Sequence, residues 1–223
     1  MVIAIDGPAG SGKSTIAKLL AEKLEGKAGR DFTYINSGNL YRAITFGCLR
    51  NNINPTDSEN VLKYARNVRI EYKKDRVFLD NKDVTDSLHN DEIDRFSAPL
   101  SAIVAVRHII NDIIRSIAES RNVVVEGRDM TTVVFPNAEH RFYLDASVEA
   151  RAKRRFEQGV SKLSLDDIKK TILDRDEIDK NKEEGSLKIA SGVHFMDTSD
   201  LTINQVYAKL KEIVEKENLI LRT

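Results

Sequence analysis

Short aliphatic and β-branched runs alternate along this chain with longer stretches in which apolar residues recur every three or four positions. VIAI (2–5) leads through a glycine-rich turn into STIAKLLAEKL, where Ile16, Leu19, Leu20 and Leu24 fall on one helical face. FTYIN (32–36) is followed by SGNLYRAITFGCLR, again helical in pattern. Ile103, Val106, Ile110, Ile113, Ile114 and Ile117 mark a long amphipathic helix before NVVVE (122–126). RFYLDA (141–146) precedes SVEARAKRRFEQ, and VHFMDT (193–198) precedes a last helix. That helix opens on Thr202 and Gln205 at capping-box spacing and carries a stripe of Val206, Leu210, Ile213 and Val214. Five strands alternating with helices predict an α/β fold around a five-stranded parallel sheet. Ligands of such sheets bind beyond the carboxyl ends of the strands. Gly7–Thr15, Asn36–Gly38, Gly127–Asp129 and Asp145 all stand at strand ends, so the chemistry is expected there.

One segment breaks the rhythm. VRIEYKKDRVFLDNKDVTDSL (68–88) alternates apolar and polar residues, with Asn81 and Asp83 as turn material, and predicts a small antiparallel meander. A helical stretch interrupted by Pro99 follows it. Residues 66–102 are therefore expected to be a subdomain inserted into the parallel core.

Composition acts mainly by exclusion. The 223 residues are 41% hydrophobic and 31% charged, with 35 basic and 35 acidic side chains. A net charge of zero argues against a general nucleic-acid binder, although clustered arginines can still hold small phosphorylated ligands. No run approaches the ~20 apolar residues of a membrane span, and MVIAIDGP lacks the features of a secretion signal. Cys48 stands alone, which rules out an internal disulfide and reads as a small buried residue of a helix. His89, His108, His140 and His194 show no ligand-like spacing and read as structural or exposed. A cytoplasmic monomer without membrane or nucleic-acid partners is expected.

Residues 7–14 read Gly7-Pro8-Ala9-Gly10-Ser11-Gly12-Lys13-Ser14, followed by Thr15. This matches G-x-x-x-x-G-K-[ST] between a strand and a helix, the context the motif requires. Glycines let such a loop turn its N–H groups around an anion, and the helix N-terminus adds a positive dipole end. Lys13 is expected to reach the β- and γ-phosphates of ATP, and the Ser14 hydroxyl to ligate Mg²⁺. The loop alone is shared by GTPases, motor-type ATPases and kinases. NKDV (81–84) and NKEE (181–184) both fail as guanine readers. VVVEGRD does not end like the acidic strand of a motor-type ATPase, leaving a kinase with a second, basic site.

DGPAGSGKST, NSGNLYRA, EGRDMTTVVFP, FYLDAS and DTSDLT occur in the order and spacing of bacterial cytidylate (CMP) kinases, which this chain resembles over essentially its whole length. The resemblance implies a three-layer P-loop kinase fold with a small acceptor-nucleotide insert (66–102) and a helical lid (151–189) on a core of 1–65, 103–150 and 190–223. It implies transfer of phosphate from ATP to CMP and dCMP. Arg42 and Arg128, just after strands, suit a phosphate because a guanidinium forks onto two oxygens. The resemblance assigns Arg107 and Asp129 to the cytosine edge, and Ser37 and Gly127 to the acceptor site. It assigns Arg175 and Lys182 to phosphates and Asp179 to the ribose; their i, i+4, i+7 spacing predicts one helical face. The RAKRR run, with Arg151 and Arg155, is expected to meet the donor phosphates. Other P-loop kinases acting on UMP and CMP or on a non-nucleotide are the nearer alternative, and a nucleotide-dependent switch the more distant one.

This sequence also departs from the family pattern. Asn36 replaces an aspartate, and Ala98 a serine on the cytosine side, which is expected to relax discrimination among pyrimidine monophosphates. Ile178, Lys180 and Lys182 stand where arginines are common, and a lysine is a point charge rather than a fork. GKAGRD (26–31) reads as a small surface loop.

Overall fold

A computed structural model describes residues 1–24, 31–73, 75–159 and 163–220, with side chains to 217. The expected loop at 26–31 lies outside the described residues except for Asp31. The elements run β1 (Val2–Asp6), α1 (Lys13–Leu24), β2 (Phe32–Asn36), α2 (Ser37–Arg50), α3 (Ser58–Asn67), β3 (Ile70–Lys73), β4 (Arg76–Leu79) and β5 (Lys82–Asp83). Then follow α4 (Asp91–Leu100), α5 (Val104–Glu119), β6 (Asn122–Gly127), β7 (His140–Asp145), α6 (Val148–Glu157), α7 (Leu165–Lys180), β8 (His194–Asp197) and α8 (Ile203–Ile220).

The five-stranded sheet is parallel throughout, in the order β2-β6-β1-β7-β8. Its inner strands β1 and β6 are aliphatic at nearly every position because both of their faces are covered. Ala4, Val123 and Val125 pack on one side with Leu40 and Ile44 of α2 and Ile110 and Ile114 of α5. Ile3, Ile5 and Val124 pack on the other with Leu20 of α1 and Leu210 of α8. The two-residue period of the strands thus feeds two separate cores. The start of α8 follows its sequence signal, and α2 gains a cap that no pattern marked. Asn36 caps α2 by accepting from the Asn39 amide, and Thr202 and Gln205 close a reciprocal box at α8.

The meander forms as an antiparallel sheet of β3, β4 and β5, with Asn81 at φ 66° in its second turn. Asp83 belongs to β5, paired with Phe78, rather than to the turn. Tyr72, Val77, Leu79 and Leu88 join the same buried cluster as α2 and α5, so the meander is rooted in the main core. Pro99 does not interrupt its helix: α4 runs through it to Leu100, and the chain bends by 101° into α5 over the next three residues. Near a helix C-terminus, proline removes only one backbone bond. Helix α3, capped by Asp57, has no counterpart among the predicted elements. Helices α6 and α7 pack on each other over Ala152, Ile168 and Ile172, a small core of their own. Cys48 is fully buried in α2, and burial pushes its thiol up to about 11. His140 and His194 share Glu217 at 2.6 and 2.7 Å, and His108 meets Glu184. Among the described residues no single helix is long and apolar enough to cross a membrane.

Candidate active site

Parallel register brings Asp6 level with Gly127 and Asn36 level with Glu126, and a cleft of about 560 Å³ opens at those strand ends. Residues 9–16 line it, whereas Gly7 and Pro8 shape the turn behind. Gly7 has φ +149°, and a Cβ there would strike the Leu144 carbonyl. Only glycine lets β1 turn that close to β7. Lys13 opens α1 and is buried, its Nζ donating to the Pro8 carbonyl at 2.7 Å. Burial pulls its pKa down to about 7, and the Arg128 charge adds to the fall. The buried Ser11 hydroxyl, also on the cleft wall, has no hydrogen-bond partner among the described residues. A loop with a strained cation and an unpartnered hydroxyl is built to receive a polar anion.

The Ser14 hydroxyl donates to Glu126 Oε1 at 2.6 Å, and the Tyr34 hydroxyl reaches the same oxygen at 3.3 Å. VVVEGRD, set aside above because it does not end like the acidic strand of a motor-type ATPase, nonetheless places a carboxylate on the loop serine. Glu126 stands level with Ile5 of β1, so the strand register, rather than a motif, delivers it. Asp6 was also missed. Its carboxylate accepts from the amides of Met130 and Thr131 at 2.9 and 2.7 Å and from the Thr131 hydroxyl at 2.6 Å. It thereby pins the π-helical turn (130–134) that follows Asp129. Burial pushes the Asp6 carboxyl up to about 6 in spite of those bonds.

On the far side, Arg107 projects from α5 and is only 2% exposed. Its Nη2 donates to the equally buried Asp129 carboxylate, and its Nη1 to the Ser101 carbonyl at 2.9 Å. The guanidinium lies over the Tyr41 ring, 5.7 Å from its centre. Gly185 closes over it from α7's exit loop: with φ +66°, any Cβ there would overlap the guanidinium. The buried Tyr41 hydroxyl lines the cleft without a hydrogen-bond partner among the described residues. Ala98 is not on the cleft wall, but Ser97 and Ser101 are.

Between the two ends lies a cluster of cations. Arg128 Nε and Lys182 Nζ hold the Asp179 carboxylate at 2.7 and 2.6 Å. Arg175 Nε, buried with no hydrogen-bond partner among the described residues, is 3.9 Å from the same group. Burial raises the Asp179 pKa, but Arg128, Lys182 and Arg175 carry it well below the usual carboxylate range. Burial, with Arg128 and Arg42 nearby, pulls Arg175 down to about 10. The expectation that Arg175, Asp179 and Lys182 share a helical face needs one correction. Helix α7 ends at Lys180, and Lys182 turns back to Asp179 from beyond the cap. Arg42 meets Asp94, while Ser37, Gly127 and Asp129 line the cleft nearby.

Arg151 does not reach the cleft. It is buried, paired bidentately with Asp176 at 3.1 and 2.7 Å, and bonded to the Ala9 carbonyl at 3.1 Å. It therefore ties the glycine turn to α7 instead of facing a ligand. Arg155 does line the cleft, as does Arg154 of the same run. Arg154 reaches the Thr198 hydroxyl at 3.1 Å, and the apolar Leu201, Ile203 and Val206 line the same cleft. No motif marked that wall, since its residues come from helix and loop positions that look like ordinary core.

Comparison with known proteins gives a consistent result. The family model for cytidylate kinase matches residues 3–216. A cytidylate kinase of Caldanaerobacter subterraneus subsp. tengcongensis is 42% identical over 217 residues, covering 96% of this chain and 94% of that protein. Those of Fusobacterium nucleatum and Thermodesulfovibrio yellowstonii are 38% and 39% identical, covering 97% and 96% of this chain and 98% of each relative.

Proposed function

The chain belongs to the cytidylate kinase family, and from that membership we propose how its cleft moves a phosphoryl group from ATP to CMP. The observation that carries the proposal is the pairing, within one cleft, of a phosphate loop with a buried arginine–carboxylate edge across a cluster of cations. Residues 9–15 cradle the donor phosphates, with Lys13 against the β- and γ-positions. Arg154 and the Leu201–Ile203–Val206 wall sandwich the donor base, and Arg155 adds charge. Ser37, Arg42, Gly127 and Arg128 receive the acceptor phosphate. Arg107 donates to O2 and N3 of cytosine while Asp129 accepts from its amino group. Uracil would present N3–H and O4 to these groups and leave both mispaired. Asp179 takes the ribose hydroxyls of CMP and the 3′-hydroxyl alone of dCMP, while its neighbours Arg175 and Lys182 meet phosphates.

The oxygens of Ser14 and Glu126 suit a hard divalent cation, so these residues would hold Mg²⁺. Mg²⁺ there would offset charge on the donor phosphates. Little covalent chemistry falls to the protein, because the CMP phosphate is already an oxygen nucleophile near neutral pH. Lys13, Arg128 and Arg175 align the two phosphates and offset the charge that develops between them. The α6–α7 lid (151–189) and the insert (66–102) enclose the nucleotides and exclude water, which suppresses hydrolysis of ATP. A coupled assay of ADP formation with ATP and a panel of nucleoside monophosphates tests the reading. CMP and dCMP should be turned over well and AMP and GMP poorly; equal rates across the panel would refute it.

Two further outcomes follow from the geometry. Ser97 and Ser101 line the cleft where Ala98 does not, and the Ser101 hydroxyl, which donates to the Ala98 carbonyl at 2.7 Å, keeps its lone pairs to accept from the cytosine amino group in place of a hydroxyl at position 98. Ser101→Ala should lower kcat/KM for CMP about fivefold, the scale of one neutral hydrogen bond, and Ala98→Ser should change it little. A large gain in Ala98→Ser would restore the view that the contact is missing. The second concerns protons. At pH 8 Lys13, with its pKa near 7, is mostly neutral in the nucleotide-free protein, and donor phosphates return its charge. ATP binding should therefore take up a proton, seen by calorimetry in buffers of different ionisation enthalpy. The uptake should vanish in Lys13→Met, and equal heats in all buffers would contradict it.

A further inference from the structure

Arg42 is held by a residue that no motif marked. Its Nε and Nη2 both donate to Oδ1 of Asp94, at 3.1 and 2.8 Å. That occupies one edge of the guanidinium and leaves Nη1 directed at the start of α2, where a Cβ on Gly38 would lie 3.0 Å from it. The other carboxylate oxygen of Asp94 is 3.7 Å from Nη2 of Arg155. Three elements therefore meet at this one side chain: α2 through Arg42, α6 through Arg155, and α4 of the insert through Asp94 itself. Arg42, Arg155, Ser37 and Gly38 line the cleft, and Asp94 does not. It contacts the arginines from behind, so it is not placed to meet a ligand. Burial raises its pKa, but Arg42, Arg175 and Arg155 hold it below the ordinary carboxylate value, so it is charged at neutral pH.

We propose that Asp94 is a positioning residue for phosphate recognition: it fixes the Nε/Nη2 edge of Arg42 so that Nη1 faces the acceptor phosphate at the N-terminus of α2. An arginine left to itself samples many rotamers, and a fork held on one edge loses less freedom when the other amine binds. The α2 N-terminus adds backbone N–H groups aimed at the same anion. The insert thus contributes to phosphate binding without touching the phosphate. This inference rests on the reading of the cleft as an acceptor-nucleotide site.

Asp94→Asn tests it, with wild-type turnover of CMP measured alongside. The variant should raise KM for CMP about tenfold, as expected for losing a charge-assisted pair that orients the binding group. Its kcat and its KM for ATP should stay within about twofold of wild type, and Asp94→Glu should recover part of the loss. In an Arg42→Ala background Asp94→Asn should do nothing further, because the two act as one unit. Asp94→Ser gives the same comparison if the amide disturbs α4, and thermal melts verify that each variant is folded. An unchanged or lower KM for CMP overturns the proposal; a lower value would mean that Asp94 competes with the phosphate. Effects of Asp94→Asn and Arg42→Ala that simply multiply overturn it as well. If wild type itself does not turn over CMP, the acceptor-site reading fails and this inference fails with it.

Discussion

Lys13→Ala should lower kcat by at least about a thousandfold, the scale of removing a donor fixed on transition-state charge. That corresponds to roughly 4 kcal/mol of barrier. The fold should survive the change. Lys13 is buried and its ammonium is held mainly by the Pro8 carbonyl, so its charge is poorly compensated without nucleotide. Removing a desolvated cation from the first turn of α1, where positive charge also opposes the helix dipole, relieves strain. The thermal midpoint should hold or rise while turnover collapses. Activity within tenfold of wild type would mean that the loop binds nucleotide without driving transfer.

Asp129→Ala should damage both stability and substrate choice. Asp129 and Arg107 are almost completely buried and bonded to each other. Removing the carboxylate strands a guanidinium beneath Gly185 and against Tyr41, with the Ser101 carbonyl as its remaining hydrogen-bond partner among the described residues. Breaking a buried pair on one side costs about 3–5 kcal/mol, which urea unfolding would read directly. The same variant should lose about a hundredfold or more in kcat/KM for CMP while losing much less for UMP, narrowing the preference between them. An unchanged CMP-to-UMP ratio would remove Asp129 from the base-reading role, and stability within about 1 kcal/mol of wild type would mean that the buried pair contributes little to folding.

Much of the architecture was legible because it rests on local rules. Ile16, Leu20 and Leu24 are buried on α1 as their spacing requires, and Val206, Leu210 and Val214 on α8. The alternating pattern of 68–88 became a three-stranded meander, and G-x-x-x-x-G-K-S sits between β1 and α1. The misses share a cause. Glu126 looked like the end of a strand, and its role appeared only when parallel register set it beside Ser14. Arg151 looked like one more cation of a basic run, but the packing of α6 on α7 sets it against Asp176.

The sequence by itself therefore determined the sheet, the phosphate loop and the set of side chains available at the strand ends, because periodicity and turn chemistry act over a few residues. Only the tertiary structure decided which carboxylate holds which cation. Asp179 takes Arg128 across 51 residues, Asp94 takes Arg42 across 52, and Asp176 takes Arg151 across 25. No local spacing encodes those pairings. They depend on where α7 ends, how sharply α4 turns into α5 and how the insert is seated on α2. Those pairings set which amines remain free to meet the phosphates.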